Sequence, residues 1–192
     1  MTRCWWCGDD PLYVTYHDEV WGRPMHGDRE LFEMLTLESF QSGLAWITIL
    51  RKQDAFREAF GGWDVPRIAE YGGRDVERLM HDAAIVRNRA KIEAAVANAR
   101  ATVALWDSGE TLDELLWSFA PEPGPAPRTP QDVPARTPGS AAMASELKRR
   151  GFRFVGPTTA YAFMQAAGLV NDHLAGCEFR SLPRTSRSCE TG

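Results

Sequence analysis

Five side chains in this sequence carry soft-metal chemistry: Cys4, Cys7, His17, His173 and Cys177. The stretch "HLAGC" sets His173 and Cys177 four residues apart, a spacing that puts both on one side of a helical turn. Cys4 and His17 complete a tetrahedral set of two cysteines and two histidines. A rival set replaces His17 with Cys7, the second cysteine of "CWWC". Spacing alone leaves both open, together with the plainer alternative in which His173 and Cys177 are packing groups and Cys4 a spare thiol. A metal would tie an N-terminal arm to a C-terminal segment across most of the chain, closing a very long loop. With four protein ligands it would keep no open position, so its role would be structural. His26 and His81 have no ligand-like neighbours.

A second constellation is aromatic: Trp5, Trp6, Tyr13, Tyr16, Trp21 and Trp46, with one carboxylate, Glu38, in "LTLESFQSGLAW". These rings can be ordinary core and Glu38 a solvated helix end. The sharper reading is a pocket with flat walls and a single acceptor. Such a pocket suits a planar, electron-poor or cationic ring, because indole and phenol faces attract positive charge and a carboxylate accepts from ring N–H groups. A third feature is "RLMHDAAIVRNRAKIEAAVANA", which reads as helix, tight turn over Ala83 to Arg87, and helix. Its backbone N–H groups, with Arg87, Arg89 and Lys91 close by, can serve a phosphate, although most hairpins of this kind only pack.

The elements that must position these groups read as helices throughout. Asp28 opens an apolar run of Leu31, Phe32 and Leu35 as a cap. Leu44, Ile47, Leu50, Phe56, Ala59 and Phe60 continue a second run. Pro66 follows a short opening at Asp64 or Val65, and "YGG" ends that helix. Asp75 caps a fourth helix, and a fifth starts near Asn88. "TLDE" at Thr111 to Glu114 is a capping box. Pro121 to Gly139 holds most of a proline-rich connection, expected to be irregular. Two helices close the chain, Ser140 to Arg150 and about Thr158 to Ala167, each stopped by glycine. No stretch alternates as a strand, so the expected fold is all-α.

At 192 residues, with 44% hydrophobic and 25% charged positions, the chain is long enough for one globular domain with a sizeable core. The expected domain is 1–192, with 178–192 a flexible tail. A net charge of −4 argues against a broad polyanion coat but leaves room for a local basic patch. No opening segment reads as a signal peptide and no run approaches a membrane helix, so the expected compartment is the cytoplasm. There, four cysteines are more readily ligands or thiols than disulfides.

Taken together, "DPLYVTYHDEVWG", "LFEMLTLESFQSGLAWITIL" and "RGFRFVGPTTAYAFMQAAGLVNDH" resemble the bacterial 3-methyladenine DNA glycosylase I family, in the family's order and over most of the chain outside the connection and tail. The resemblance implies a helix-hairpin-helix DNA-repair fold with one structural zinc, whose ligands fall on Cys4, His17, His173 and Cys177. It places base-binding roles on Trp6, Tyr13, Tyr16, Glu38 and Trp46, with Trp21 as a further wall. It makes the loop Gln41 to Leu44, Gly43 included, the part that enters the duplex, with Leu44 as plug. Arg87 and Lys91 would meet phosphates of double-stranded DNA.

The implied activity is monofunctional. The damaged nucleotide is flipped out, 3-methyladenine is sandwiched by Tyr16 and Trp46, and Glu38 takes its polar edge. Water then leaves an abasic site without strand cleavage, and the enzyme is expected to work as a monomer. The family usually carries glycine where this chain has Ala84. If that position needs positive φ, alanine is strained there by about 1 kcal/mol or more. A rival from another class is a zinc-stapled helical module that binds damaged DNA without catalysis; it needs no carboxylate among aromatic rings.

Overall fold

The computed structural model describes residues 2–181 and is helical, with no strand among them. The elements are α1 (Pro11–Glu19), α2 (Asp28–Gln41), α3 (Trp46–Leu50), α4 (Gln53–Ala59), α5 (Val65–Ala69), α6 (Gly73–His81), α7 (Arg89–Asp107), α8 (Leu112–Trp117), α9 (Pro138–Arg149) and α10 (Pro157–Ala166).

α2 is the central element. Leu31, Phe32, Met34, Leu35, Leu37 and Phe40 are all buried in it, and it packs against α3, α7, α8 and α10. Burying a Leu or Phe side chain contributes ~1.5–3 kcal/mol, so this helix anchors the core. A ring ladder extends that core, with Phe60 stacked on Trp63 at 5.0 Å and Phe40 edge-on to Phe56 at 4.8 Å. α7 packs against α5, and α9 against α10.

Several boundaries differ from the sequence expectations for identifiable reasons. Asp28 is the first residue of α2, and Gly27 precedes it as the cap position. The Asp28 carboxylate instead accepts from the backbone N–H groups of Leu112 and Asp113, at 2.9 Å each, so it serves the start of α8. The apolar run after Gly43 breaks into α3 and α4, because Arg51 and Lys52 form a turn between them. α9 starts at Pro138, inside the segment expected to be irregular; Thr137 caps it by accepting from Ser140 N at 3.1 Å. The rest of that connection is irregular apart from a 3-10 turn at Pro130–Asp132.

The start of the chain is pinned beside α10. Met25 N donates to Ala167 O at 2.9 Å, and Gly168, at φ +73°, lies so close to Arg23 that a Cβ would sit 2.3 Å from its carbonyl carbon. Two residues at the start of the expected tail, Glu178 and Arg180, are bonded to the rest of the chain. Thr2 N donates to Glu178 Oε1 and Glu178 N to Thr2 O, while Arg180 donates to the carbonyls of Asn171 and His173. The remainder of that expected tail, 182–192, lies outside the described residues.

Candidate functional site

α1 carries chemistry in two directions. Asp10 caps it by accepting from Leu12 N at 3.0 Å, and Pro11 fixes its first φ. His17 then points to one side, Tyr13 and Tyr16 to another.

On the first side, Cys4, His17, His173 and Cys177 are all buried, and their ligand atoms all lie within 4.8 Å of one another. Cys177 Sγ is 3.4 Å from His173 Nδ1 and 3.6 Å from His17 Nε2; Cys4 Sγ is 3.6 Å from His173 Nδ1. A tetrahedral ion with zinc-like bond lengths holds sulfur and nitrogen about 3.6 Å apart, so this donor set fits one. The outward ring nitrogens are also engaged. His17 Nδ1 meets Asp18 Oδ1 at 2.7 Å, and His173 Nε2 meets Trp21 O at 3.0 Å. Such partners fix the tautomer and aim the other nitrogen at a metal. Arg3 in turn clamps Asp18 through Nε and Nη2, at 2.9 and 2.8 Å to Oδ1 and Oδ2 respectively. Burial pushes the Cys4 thiol up to about 12 and His173 down to about 4.

His173 and Cys177 do not sit in a helix. They flank a turn in which Cys177 N donates to Leu174 O at 2.9 Å, and this turn brings the two ligands together. Cys7 stands apart from the group, its sulfur 3.4 Å from Cys4 O.

On the second side, Trp5, Trp6, Tyr13, Tyr16, Trp21, Glu38, Gln41 and Trp46 line a cleft of about 220 Å³, joined by Val133, Ala162 and Gln165. Glu38 is 5% exposed, and its carboxylate has no hydrogen-bond donor among the described residues. Burial alone pushes its pKa up to about 8. The indole N–H groups of Trp6 and Trp46 are buried and unpartnered as well. Burial, followed by the neighbouring Glu38 charge, raises the Tyr13 and Tyr16 hydroxyls.

The expected sandwich needs a correction. Tyr16 and Trp46 lie 5.3 Å apart, tilted by 44°, whereas a base between two rings needs roughly 7 Å, twice a van der Waals contact. In this conformation the two rings form one continuous wall instead. Trp6 stands 6.3 Å from Tyr16, 5.1 Å from Tyr13 and 4.9 Å from Trp21.

Val133, Ala162 and Gln165 were not anticipated. Val133 comes from the proline-rich connection, whose Pro127 carbonyl is held by Ala175 N at 2.7 Å; no local pattern announces it. Gln165 is one of the few polar residues on the apolar helix α10, which was a usable signal.

The loop after α2 stands at the edge of this cleft. Ser42, Gly43, Leu44 and Ala45 are exposed, and Gly43 has φ +84°. α6 and α7 form the expected hairpin, with Asn88 capping α7 by accepting from Lys91 N at 3.2 Å. Arg87 is exposed there, and Arg89 pairs with Glu77 at 2.7 Å. Lys91 departs from expectation: it is buried, and its ammonium donates to Phe40 O at 2.9 Å and Ser42 O at 2.6 Å instead of facing solvent. Ala84 is not at positive φ; among the described non-glycine residues only Trp63 and Phe154 are, so the expected strain is absent.

The fold and site thus define an all-helical protein with an aromatic, single-carboxylate cleft beside a buried group of two cysteines and two histidines. Residues 6–181 match the model of the methyladenine glycosylase family, and the chain belongs to that family. DNA-3-methyladenine glycosylase 1 of Escherichia coli (strain K12) is 46% identical over 180 residues, covering 92% of this chain and 96% of the relative. A crystal structure of 3-methyladenine DNA glycosylase I superimposes with a TM-score of 0.90 at 47% identity, over 92% of this chain and 98% of that one. A tyrosine-to-phenylalanine variant of 3-methyladenine DNA glycosylase I in complex with 3-methyladenine gives 0.89 at 33% identity, over 96% and 100% of the two chains.

Proposed function

We propose that the cleft around Glu38 receives 3-methyladenine turned out of double-stranded DNA, and that Cys4, His17, His173 and Cys177 hold one structural zinc. The activity itself is that of the family: base-excision repair by a monofunctional glycosylase that hydrolyses the bond between the alkylated base and deoxyribose. The observation that carries the site assignment is Glu38, a carboxylate buried among rings with no partner of its own.

Methylation at N3 makes the ring cationic and weakens its bond to the sugar. An enzyme for this base needs strong recognition and little acid catalysis. The Tyr16–Trp46 wall and Trp6 offer π faces that attract a cation, and Glu38 accepts from the base's polar edge. Both interactions favour the charged base over neutral adenine, which is the selectivity the reaction requires. The base leaves with the electron pair of the broken bond, losing its positive charge. Water adds to the sugar carbon and releases a proton, leaving an abasic site. No lysine lines the cleft among the described residues, in keeping with hydrolysis without strand cleavage.

Leu44 is the plug that fills the gap in the duplex, with Gln41 and Gly43 shaping its loop; Arg87 on the α6–α7 hairpin, read as a helix-hairpin-helix element, meets phosphate. The zinc, when bound, supplies no reaction chemistry; its four ligands join α1 and the arm before it to the segment after α10 and so fix Trp6 and Trp21 in the cleft wall. We take the protein to act as a monomer in the compartment of the chromosome; no described helix is long and apolar enough to cross a membrane.

The test is a glycosylase assay on methylated duplex DNA with the released bases identified. Free 3-methyladenine is expected, with strands breaking only after mild base treatment. Wild-type release by Glu38→Gln would refute the site assignment, and direct nicking would refute the monofunctional chemistry.

A further inference from the structure

The Lys91 ammonium is spent inside the protein, which a phosphate contact does not explain. Lysine is rarely buried unless its charge is matched, yet Lys91 is 8% exposed and faces two carbonyls rather than a carboxylate. Both carbonyls belong to the end of α2 and the loop after it. Phe40 O is among the last four carbonyls of the helix, which lack an intrahelical donor, and a cation there also complements the helix dipole. Ser42 O lies past the helix end, where the backbone leaves the helical conformation at ψ 115°.

The rest of the loop is bound as closely. Leu44 N donates to Gln41 O at 2.7 Å, and the Gln41 side-chain amide donates to Leu44 O at 3.2 Å. The carbonyls of residues 40, 41, 42 and 44 are thus all engaged, and the Leu44 side chain, 39% exposed, is what projects.

Lys91 is also the third residue of α7, where its own N–H is held by the Asn88 cap. One residue therefore bonds through its backbone to the start of the hairpin's second helix and through its side chain to the loop beside the cleft. A second lysine closes the figure: Lys52, between α3 and α4, donates to Ala84 O in the hairpin turn at 2.7 Å.

We infer that Lys91 is a positioning residue, whose side chain locks the Gln41–Leu44 loop to the α6–α7 hairpin so that both meet the duplex in a fixed relation. The inference rests on the reading of the cleft and loop given above. Preset in this way, Leu44 enters the stack without first ordering a glycine-containing loop, and displacement of a DNA-entering group by an ångström can cost up to roughly a hundredfold in rate.

The test is a double-mutant cycle of Lys91→Met and Leu44→Ala in single-turnover excision from methylated duplex DNA, beside binding of free 3-methyladenine to the same proteins. Lys91→Met is expected to slow excision by roughly tenfold or more while leaving free-base affinity within about twofold. In the Leu44→Ala background the same substitution should add little, because the group it positions is gone. Lys91→Gln, which keeps a donor, should fall between wild type and Lys91→Met, and it takes the place of Lys91→Met if that variant does not fold.

Excision by Lys91→Met at the wild-type rate would overturn the inference. So would losses that multiply independently of Leu44→Ala, or a loss of free-base binding equal to the loss of excision, which would mark Lys91 as merely structural. Failure of the wild-type protein to release 3-methyladenine at all would instead strike the reading of the cleft.

Discussion

The Cys/His group and the Glu38 cleft share α1 and a wall of rings, yet they treat their polar atoms in opposite ways. Trp6 touches both, 5.2 Å from His17 and 5.1 Å from Tyr13. Around the Cys/His group the polar periphery is satisfied: each histidine gives its outer nitrogen to an acceptor, and Arg3 holds Asp18 in place. Around the cleft it is not, since the N–H groups of Trp6 and Trp46 have no partner and burial is the only influence on the Glu38 carboxyl. An unmet buried polar atom costs about 1–3 kcal/mol; Thr36 Oγ1 and Trp63 Nε1 carry that cost singly in the core, whereas the cleft gathers two such N–H groups beside a carboxylate. On the reading proposed above, the difference is that between a centre that maintains structure and one kept open for a ligand.

The largest effect should come from the closed centre. His173→Ala removes a ligand and leaves Cys4 and Cys177 facing a gap. Metal analysis should find one zinc per chain in the wild type and none in the variant. Stability should fall by roughly 3–5 kcal/mol, the scale for losing one member of a buried charged set. For a chain of this size that is a drop in Tm of about 10 °C. A metal-free wild type of equal stability would erase the contrast between the two regions.

Breaking the open centre should do the reverse, costing activity rather than stability. Glu38→Gln should slow excision of 3-methyladenine by roughly a hundredfold, as for loss of one preorganised electrostatic group. The pH dependence follows from a carboxyl raised from 4.5 to about 8. In the free enzyme the carboxylate form grows as pH rises through about 8, so kcat/KM should climb on that limb in the wild type and stay flat in Glu38→Gln. A bound cation favours the carboxylate, so the limb in kcat should lie at lower pH. Stability runs the other way. The unfolded chain ionises Glu38 first, so wild-type stability should decline between about pH 4.5 and 8 and then level off, and Glu38→Gln should lack that decline. A wild-type profile without either limb would return Glu38 to ordinary core.

How much of this the sequence carried depended on the range of the interactions. Local signals were legible: the Asn88 cap, the Thr111–Glu114 capping box and the glycine stops at Gly151 and Gly168 lie where periodicity places them. The rings and Glu38 were legible as types, and the structure gathers them in one cleft. Side-chain destinations across the fold were not. Asp28 resembles a cap of its own helix but serves α8, and Lys91 resembles a phosphate ligand but caps α2; both choices are made by elements distant in the chain. Val133 reaches the cleft because Pro127 is anchored to Ala175 beyond α10, a contact with no local trace. Spacing likewise left Cys7 and His17 as alternatives, which the resemblance decided for His17. The structure then groups His17 with the others, because α1 turns it inward while Cys7 Sγ is given to the Cys4 carbonyl.

The smallest expected effect probes the periphery that distinguishes the closed centre. Asp18 lines no part of the cleft; it accepts from His17 Nδ1 and is itself held by Arg3. Asp18→Asn keeps an oxygen able to accept that proton but removes the charge that raises the basicity of the ligating Nε2. Loss of such a partner typically weakens metal affinity by about 10–100-fold. Zinc retention in competition with a chelator should fall by that factor, while excision by the zinc-saturated variant should match the wild type. If excision fell in parallel with metal affinity at saturating zinc, the two regions would be one coupled site rather than a staple beside a pocket. If neither changed, the satisfied periphery would be packing, and the ligands alone would account for the centre.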